Sequence, residues 1–149
     1  MKNIFLALLA FVAFSAVASA KTHLNVDRHG VGIKGYDPVA YFTDSKAVKG
    51  SPQFQSSFNG ATYQFTSADH KATFEANPSK FEPQFGGFCA WAVSQGYTAS
   101  IDPNAFQIVN GRLLLQYSLN VRKDFSKDAQ GNLKKADANW PGIVEKKGK

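Results

Sequence analysis

Two Asn-Gly dipeptides do most to limit what this chain can fold into. Asn59-Gly60 separates Phe54-Gln55-Ser56-Ser57-Phe58 from Ala61-Thr62-Tyr63-Gln64-Phe65, and Asn110-Gly111 separates Ala105–Val109 from Arg112–Ser118. A two-residue hairpin turn that follows strand twist needs positive φ at both positions, which Asn and Gly tolerate best. Each dipeptide therefore predicts a hairpin, with Phe54 and Phe58 on one face of their strand and Tyr63 and Phe65 on one face of theirs. Their flanks differ, so the hairpins are not an internal repeat. Ser67 is placed to cap a helix from Ala68 to about Ala76, which Asn77-Pro78 ends; Phe74 lies one turn beyond His70. Upstream, Asp37 as a cap and Pro38 at a first helical position predict a single helical turn within Gly35–Phe42, followed by a loop from Asp44 to Pro52. Gly86-Gly87, then Phe88–Ser94, then Gly96 predict a short buried helix. Asn120 is placed to cap a last helix over about Val121–Asp128, and Pro141 is expected to end the ordered chain. The order hairpin, helix, helix, hairpin, helix is that of an α+β fold: a small antiparallel sheet built from two hairpins, packed with several short helices.

The first twenty residues read differently from the rest. Met1-Lys2-Asn3 is a short positive start, Ile4–Ala18 is apolar apart from Ser15, and Ala18-Ser19-Ala20 is a small-x-small cleavage pattern, so residues 1–20 are expected to be a cleaved signal peptide. Without them the apolar share falls from 44% to about 38% of the remaining chain. The net charge falls from +6 to +5 with the loss of Lys2. No later run approaches the roughly 20 apolar residues of a spanning helix. One small exported domain is expected, periplasmic or secreted: a flexible lead over 21–34, a folded part over 35–143 and a flexible basic tail over 144–149. The single cysteine excludes an internal disulfide framework, and its absence from the cleavage junction excludes a lipid anchor there. The positive charge is spread along the chain without an aromatic-basic pattern, which argues against a nucleic-acid partner.

Three residues invite chemistry. Cys89, in the first turn of a helix opened by Gly86-Gly87, would have its thiolate favoured by free N–H groups and the helix dipole; the alternative is a small buried hydrophobe beside Trp91. His70 is the one plausible base for such a thiol, since His23 and His29 lie in the lead. A histidine so placed is more often a surface or half-buried helix residue than a ligand. One Cys and one His in the folded part are too few for a sulfur-rich zinc site. Cleavage after Ala20 would create Lys21-Thr22-His23, whose terminal amine, amides and third-position imidazole suit square-planar Cu(II) or Ni(II); a disordered polar end is the alternative.

The segments Gly35-Tyr36-Asp37-Pro38-Val39-Ala40-Tyr41-Phe42, Tyr63-Gln64-Phe65-Thr66-Ser67, Phe74-Glu75-Ala76-Asn77-Pro78-Ser79-Lys80-Phe81, Pro83-Gln84-Phe85-Gly86-Gly87-Phe88-Cys89-Ala90-Trp91-Ala92 and Lys135-Ala136-Asp137-Ala138-Asn139-Trp140-Pro141 resemble the YHS-domain proteins, specifically their small exported branch. The resemblance spans most of residues 33–143. It implies a short hairpin-helix unit that binds transition metal through cysteines. Laid on this chain, the family's three cysteine positions fall on Ala40, Thr66 and His70, while Cys89 belongs to the exported branch's own run. The expectation is a small binding module taking copper or zinc weakly, through Lys21-Thr22-His23 or through His70 with Cys89, rather than an enzyme. The alternatives are a thiol-dependent enzyme or redox protein using Cys89, and a structural or partner-binding protein acting through a Phe-lined sheet surface or an intermolecular Cys89 disulfide.

Overall fold

The computed structural model describes residues 19–149. The expected signal peptide lies outside the described residues except for its last two positions. Strands β1 (Ser51–Phe58) and β2 (Ala61–Phe65) form the first hairpin, β3 (Asp102–Val109) and β4 (Arg112–Gln116) the second. Both turns have the required backbone, with φ of 49° and 88° at Asn59 and Gly60 and of 51° and 73° at Asn110 and Gly111. Pairing is antiparallel in each, and each contains a register shift, between Ser51 and Gln55 and between Asp102 and Phe106.

The fold is α+β, and the two hairpins stand as two separate two-stranded sheets. What lies between them is set by β4. Leu113, Leu114, Leu115 and Gln116 are all buried, so this strand has no solvent face. Leu113 and Leu115 join Tyr63, Phe65, Phe74 and Cys89 in one apolar cluster; Leu114 joins Phe85, Val93, Phe125, Leu133 and Ile143 in another. Strand alternation thus divides the interior in two. Each large side chain so buried contributes about 1.5–3 kcal/mol relative to exposure.

The helices are α1 (Ala40–Thr43), α2 (Ala68–Ala76), α3 (Pro78–Phe81), α4 (Ala90–Ser94), α5 (Leu119–Ser126) and α6 (Ala129–Lys147). Helix α2 has the expected bounds, and the Ser67 side chain accepts the His70 N–H at its start. Helix α5 starts earlier than expected because Ser118, not Asn120, caps it, accepting the Val121 N–H at 3.2 Å.

Three expectations about the ends and the centre are corrected. Pro141 does not end the ordered chain: it lies inside α6, whose Leu133, Ala136 and Ile143 are buried in the second cluster while Trp140 packs against it. The basic tail is accordingly helical through Lys147. The lead 21–34 is not a free segment either. Val26 bridges Gly32, Val31 bridges Thr62, Asn25 N–H donates to the Gly86 carbonyl at 2.8 Å, and Thr22 and Lys149 exchange backbone hydrogen bonds at 3.2 and 3.0 Å. Finally, Gly86-Gly87 sit in a separate 3-10 turn, so α4 opens only at Ala90, and Cys89 precedes it.

Candidate functional site

Asp37 is fully buried, between the lead and the first hairpin. Its Oδ1 accepts the backbone N–H groups of Val39 at 2.8 Å and Ala40 at 3.3 Å, which starts the turn into α1. Its Oδ2 accepts from Thr66 twice, from the backbone N–H at 2.9 Å and from the hydroxyl at 3.0 Å. Four donated hydrogen bonds leave the carboxylate acting only as an acceptor, the arrangement a buried charge requires.

Helix α2 delivers the fifth contact. Phe74 is buried against the rings of Phe58, Tyr63 and Phe65, with centroids 6.2, 5.3 and 5.1 Å away, and this fixes which face of α2 meets the hairpin. His70 lies one turn earlier on that face. Its Nδ1 is 2.6 Å from Asp37 Oδ2 and 3.2 Å from Thr66 Oγ1. Because the carboxylate oxygen accepts, Nδ1 carries the proton, a tautomer assigned here from the hydrogen-bond network. In this tautomer the ring's lone pair is on Nε2. That atom makes no hydrogen bond among the described residues and is not enclosed, in a side chain that is 21% exposed. A solvent-facing imidazole nitrogen held by a buried carboxylate behind the ring is the arrangement of a metal-ligating histidine and also of a general base.

No family model, curated protein or solved structure matches the chain.

Cys89 and His70 do not meet. The Cys89 thiol donates to Gln116 Oε1 at 3.4 Å and accepts the Tyr117 N–H at 3.2 Å, on the opposite hairpin from Asp37. Gln116 Oε1 also accepts the Trp91 N–H at 2.9 Å, so the thiol forms part of the join between β4 and α4. The sulfur lies beneath a cavity of about 260 Å³ bordered by Trp91, Tyr97 and Tyr117. Cys89 is 1% exposed, so an intermolecular disulfide would require this region to open. Cys89 is the residue that caps the start of the five-residue α4 rather than a member of its first turn, and its side chain makes no capping hydrogen bond to that helix.

His23 belongs to neither group. Its ring stacks on Phe88 at 4.5 Å and lies 6.3 Å from Trp140, and its Nε2 is buried without a hydrogen-bond partner. Burial, with Lys147 nearby, holds its pKa below the ordinary histidine value. Square-planar metal binding by Lys21-Thr22-His23 would have to break the Thr22–Lys149 pairing, because it uses the Thr22 amide nitrogen. Among the described residues, no three of His, Cys, Asp and Glu gather closely enough to enclose a metal ion.

The residues that sequence reasoning missed are Asp37 and Thr66. Asp37 was legible only as a helix cap, and Thr66 only as a position in a motif; the sequence separation of 33 between Asp37 and His70 hides their meeting.

Proposed function

We propose that this is a small exported binding module of the YHS type whose working atom is His70 Nε2, and that it takes a copper or zinc ion weakly and exchangeably. One observation carries the reading: His70 Nδ1 is fixed on a fully buried carboxylate while Nε2 stays open to solvent. Supporting it, Ala40, Thr66 and His70, the three positions where the family pattern has cysteines, all hydrogen-bond to Asp37 through a backbone N–H, a backbone N–H with a hydroxyl, and an imidazole. The donor set suits one protein ligand, with water or a second molecule completing the coordination. Asp37 fixes the direction of the imidazole. Exchange is fast because a single ligand holds the ion.

Cu(II) titration followed by electron paramagnetic resonance tests this reading, on protein whose N-terminus has been read by mass spectrometry. Nitrogen-coordinated copper at one equivalent is expected, lost in His70→Ala and retained in both Cys89→Ser and His23→Ala. Binding that survives His70→Ala but disappears in His23→Ala would move the site to the N-terminus and end the proposal.

A further inference from the structure

A cavity of about 340 Å³ opens on another part of the molecule, between the lead, the segment after α3, the start of β4 and helix α6. Its volume is at the lower end of small-molecule sites. Neither His70 nor Cys89 lines it.

The charges around it are unevenly matched. Arg112 is held by Asp137 through two hydrogen bonds, at 2.9 and 2.6 Å, and by Gln84 Oε1 at 2.9 Å. Lys21 is paired with Glu145 at 2.7 Å. Glu82 has no cationic partner among the described residues; its carboxylate accepts only from the Asn59 amide, at 3.2 and 3.5 Å. Burial pushes its pKa up, which reports a carboxylate short of compensation.

The second observation is Tyr63. It is 3% exposed, its ring is packed against Phe74, and it lines this cavity. Its hydroxyl has no hydrogen-bond partner among the described residues, and burial together with the nearby Glu82 charge raises its pKa. The hydroxyl is not enclosed by protein, so it opens on the cavity as a polar atom that a ligand can reach. Trp140 supplies an aromatic wall beside the two polar groups.

We propose that this cavity binds a small organic cation, an amine bearing an apolar or aromatic group, with its ammonium between the Glu82 carboxylate and the Tyr63 hydroxyl and its apolar part against Trp140. An anionic ligand is disfavoured because the Arg112 guanidinium is already engaged and the unmatched charge is negative. The aromatic rings add an attraction that a cation feels more strongly than a neutral molecule of the same shape.

Benzylammonium, benzyl alcohol and benzoate separate the possibilities, titrated into metal-free protein and followed by two-dimensional NMR. Benzylammonium is expected to saturate in about the millimolar range, as suits so small a ligand, and to shift the resonances of Tyr63, Glu82 and Trp140. Benzyl alcohol is expected to bind about tenfold or more weakly, and benzoate more weakly still. Glu82→Gln should weaken benzylammonium about tenfold or more, and Tyr63→Phe, which keeps the ring, about two- to tenfold. Glutamine at 82 retains the contact with Asn59 and removes an uncompensated charge, so thermal stability should hold or rise, which separates lost affinity from unfolding. Equal affinity for benzyl alcohol, unchanged binding in Glu82→Gln, or no saturable binding of benzylammonium overturns the proposal.

Discussion

Asp37 shows how much one buried carboxylate can organise. It joins the turn into α1, the end of β2 and the first turn of α2, three segments that share no backbone ladder at that point. Asp37→Asn is nearly isosteric but turns one acceptor into a donor, so an N–H group must then face either Val39 and Ala40 or Thr66 and His70, all of which donate. Leaving buried donors unmatched costs about 1–3 kcal/mol each, so a loss on the order of 2–4 kcal/mol is expected from urea midpoints. His70→Ala should cost only about 1 kcal/mol, because Thr66 still occupies Oδ2 and the ring is partly solvated. Equal losses in the two variants would mean that the imidazole, not the carboxylate, holds these segments together. The asymmetry also bears on function: the side chain proposed to meet a ligand is less costly to the fold than the side chain that aims it.

At the scale of elements, what could be read in the sequence follows the range of the interaction that decides it. Both hairpins were legible because a positive φ at two successive residues is a local demand, met by Asn59-Gly60 and Asn110-Gly111. Helix α2 was legible for the same reason, since Ser67 and Asn77-Pro78 mark its ends within twelve residues. The separation into two sheets was not, because it depends on β4 being covered on both faces by residues far along the chain. The candidate site was legible one residue at a time, as His70, His23 and Cys89, but their separation and the role of Asp37 depend on tertiary contacts. Helix α6 is the instructive case. Leu133, Ala136, Trp140 and Ile143 recur at helical spacing, yet Pro141 argues locally for a stop. Packing of that stripe against Phe85, Phe88 and Val93 outweighs the missing N–H, which leaves the Asp137 carbonyl without its helical donor. Pro141→Ala restores that donor and is therefore expected to stabilise the protein by about 1–2 kcal/mol, read as a raised midpoint in thermal or urea unfolding. A destabilised variant would show that the ring's own packing contributes more than the helical bond it prevents.

Across the described residues, the lead and the C-terminal segment close on each other. Thr22 pairs with Lys149, Lys21 with Glu145, and His23 lies against Phe88 and Trp140, so the lead is held by α6 and by the turn before α4. This closure also builds one side of the Glu82 cavity. It carries a pH dependence through His23, whose Nε2 is enclosed with no acceptor. Protonation would put an N–H donor and a charge where nothing receives them, beside Lys147, which is why the pKa of the folded form lies below the ordinary value. The unfolded chain, with His23 near its ordinary pKa of 6.5, binds more protons just below that pH than the folded chain does. Stability therefore rises with pH through this window; it is fully present above about 6.5 and is lost as pH falls from there towards the folded value. His23→Phe keeps an aromatic ring on Phe88 and Trp140 but cannot titrate. Urea midpoints compared at about pH 7.5 and about pH 5.5, on either side of the histidine range, should fall further on acidification in the wild type than in His23→Phe. The difference between the two proteins isolates this residue, because Glu82 and the remaining carboxylates titrate in both. Parallel curves would place the ring in solvent and the lead away from α6. A flatter curve for the variant, with amide exchange at Thr22 and Lys149 slower than in the acidified wild type, would locate the pH sensitivity in the closure of the lead on the C-terminal segment.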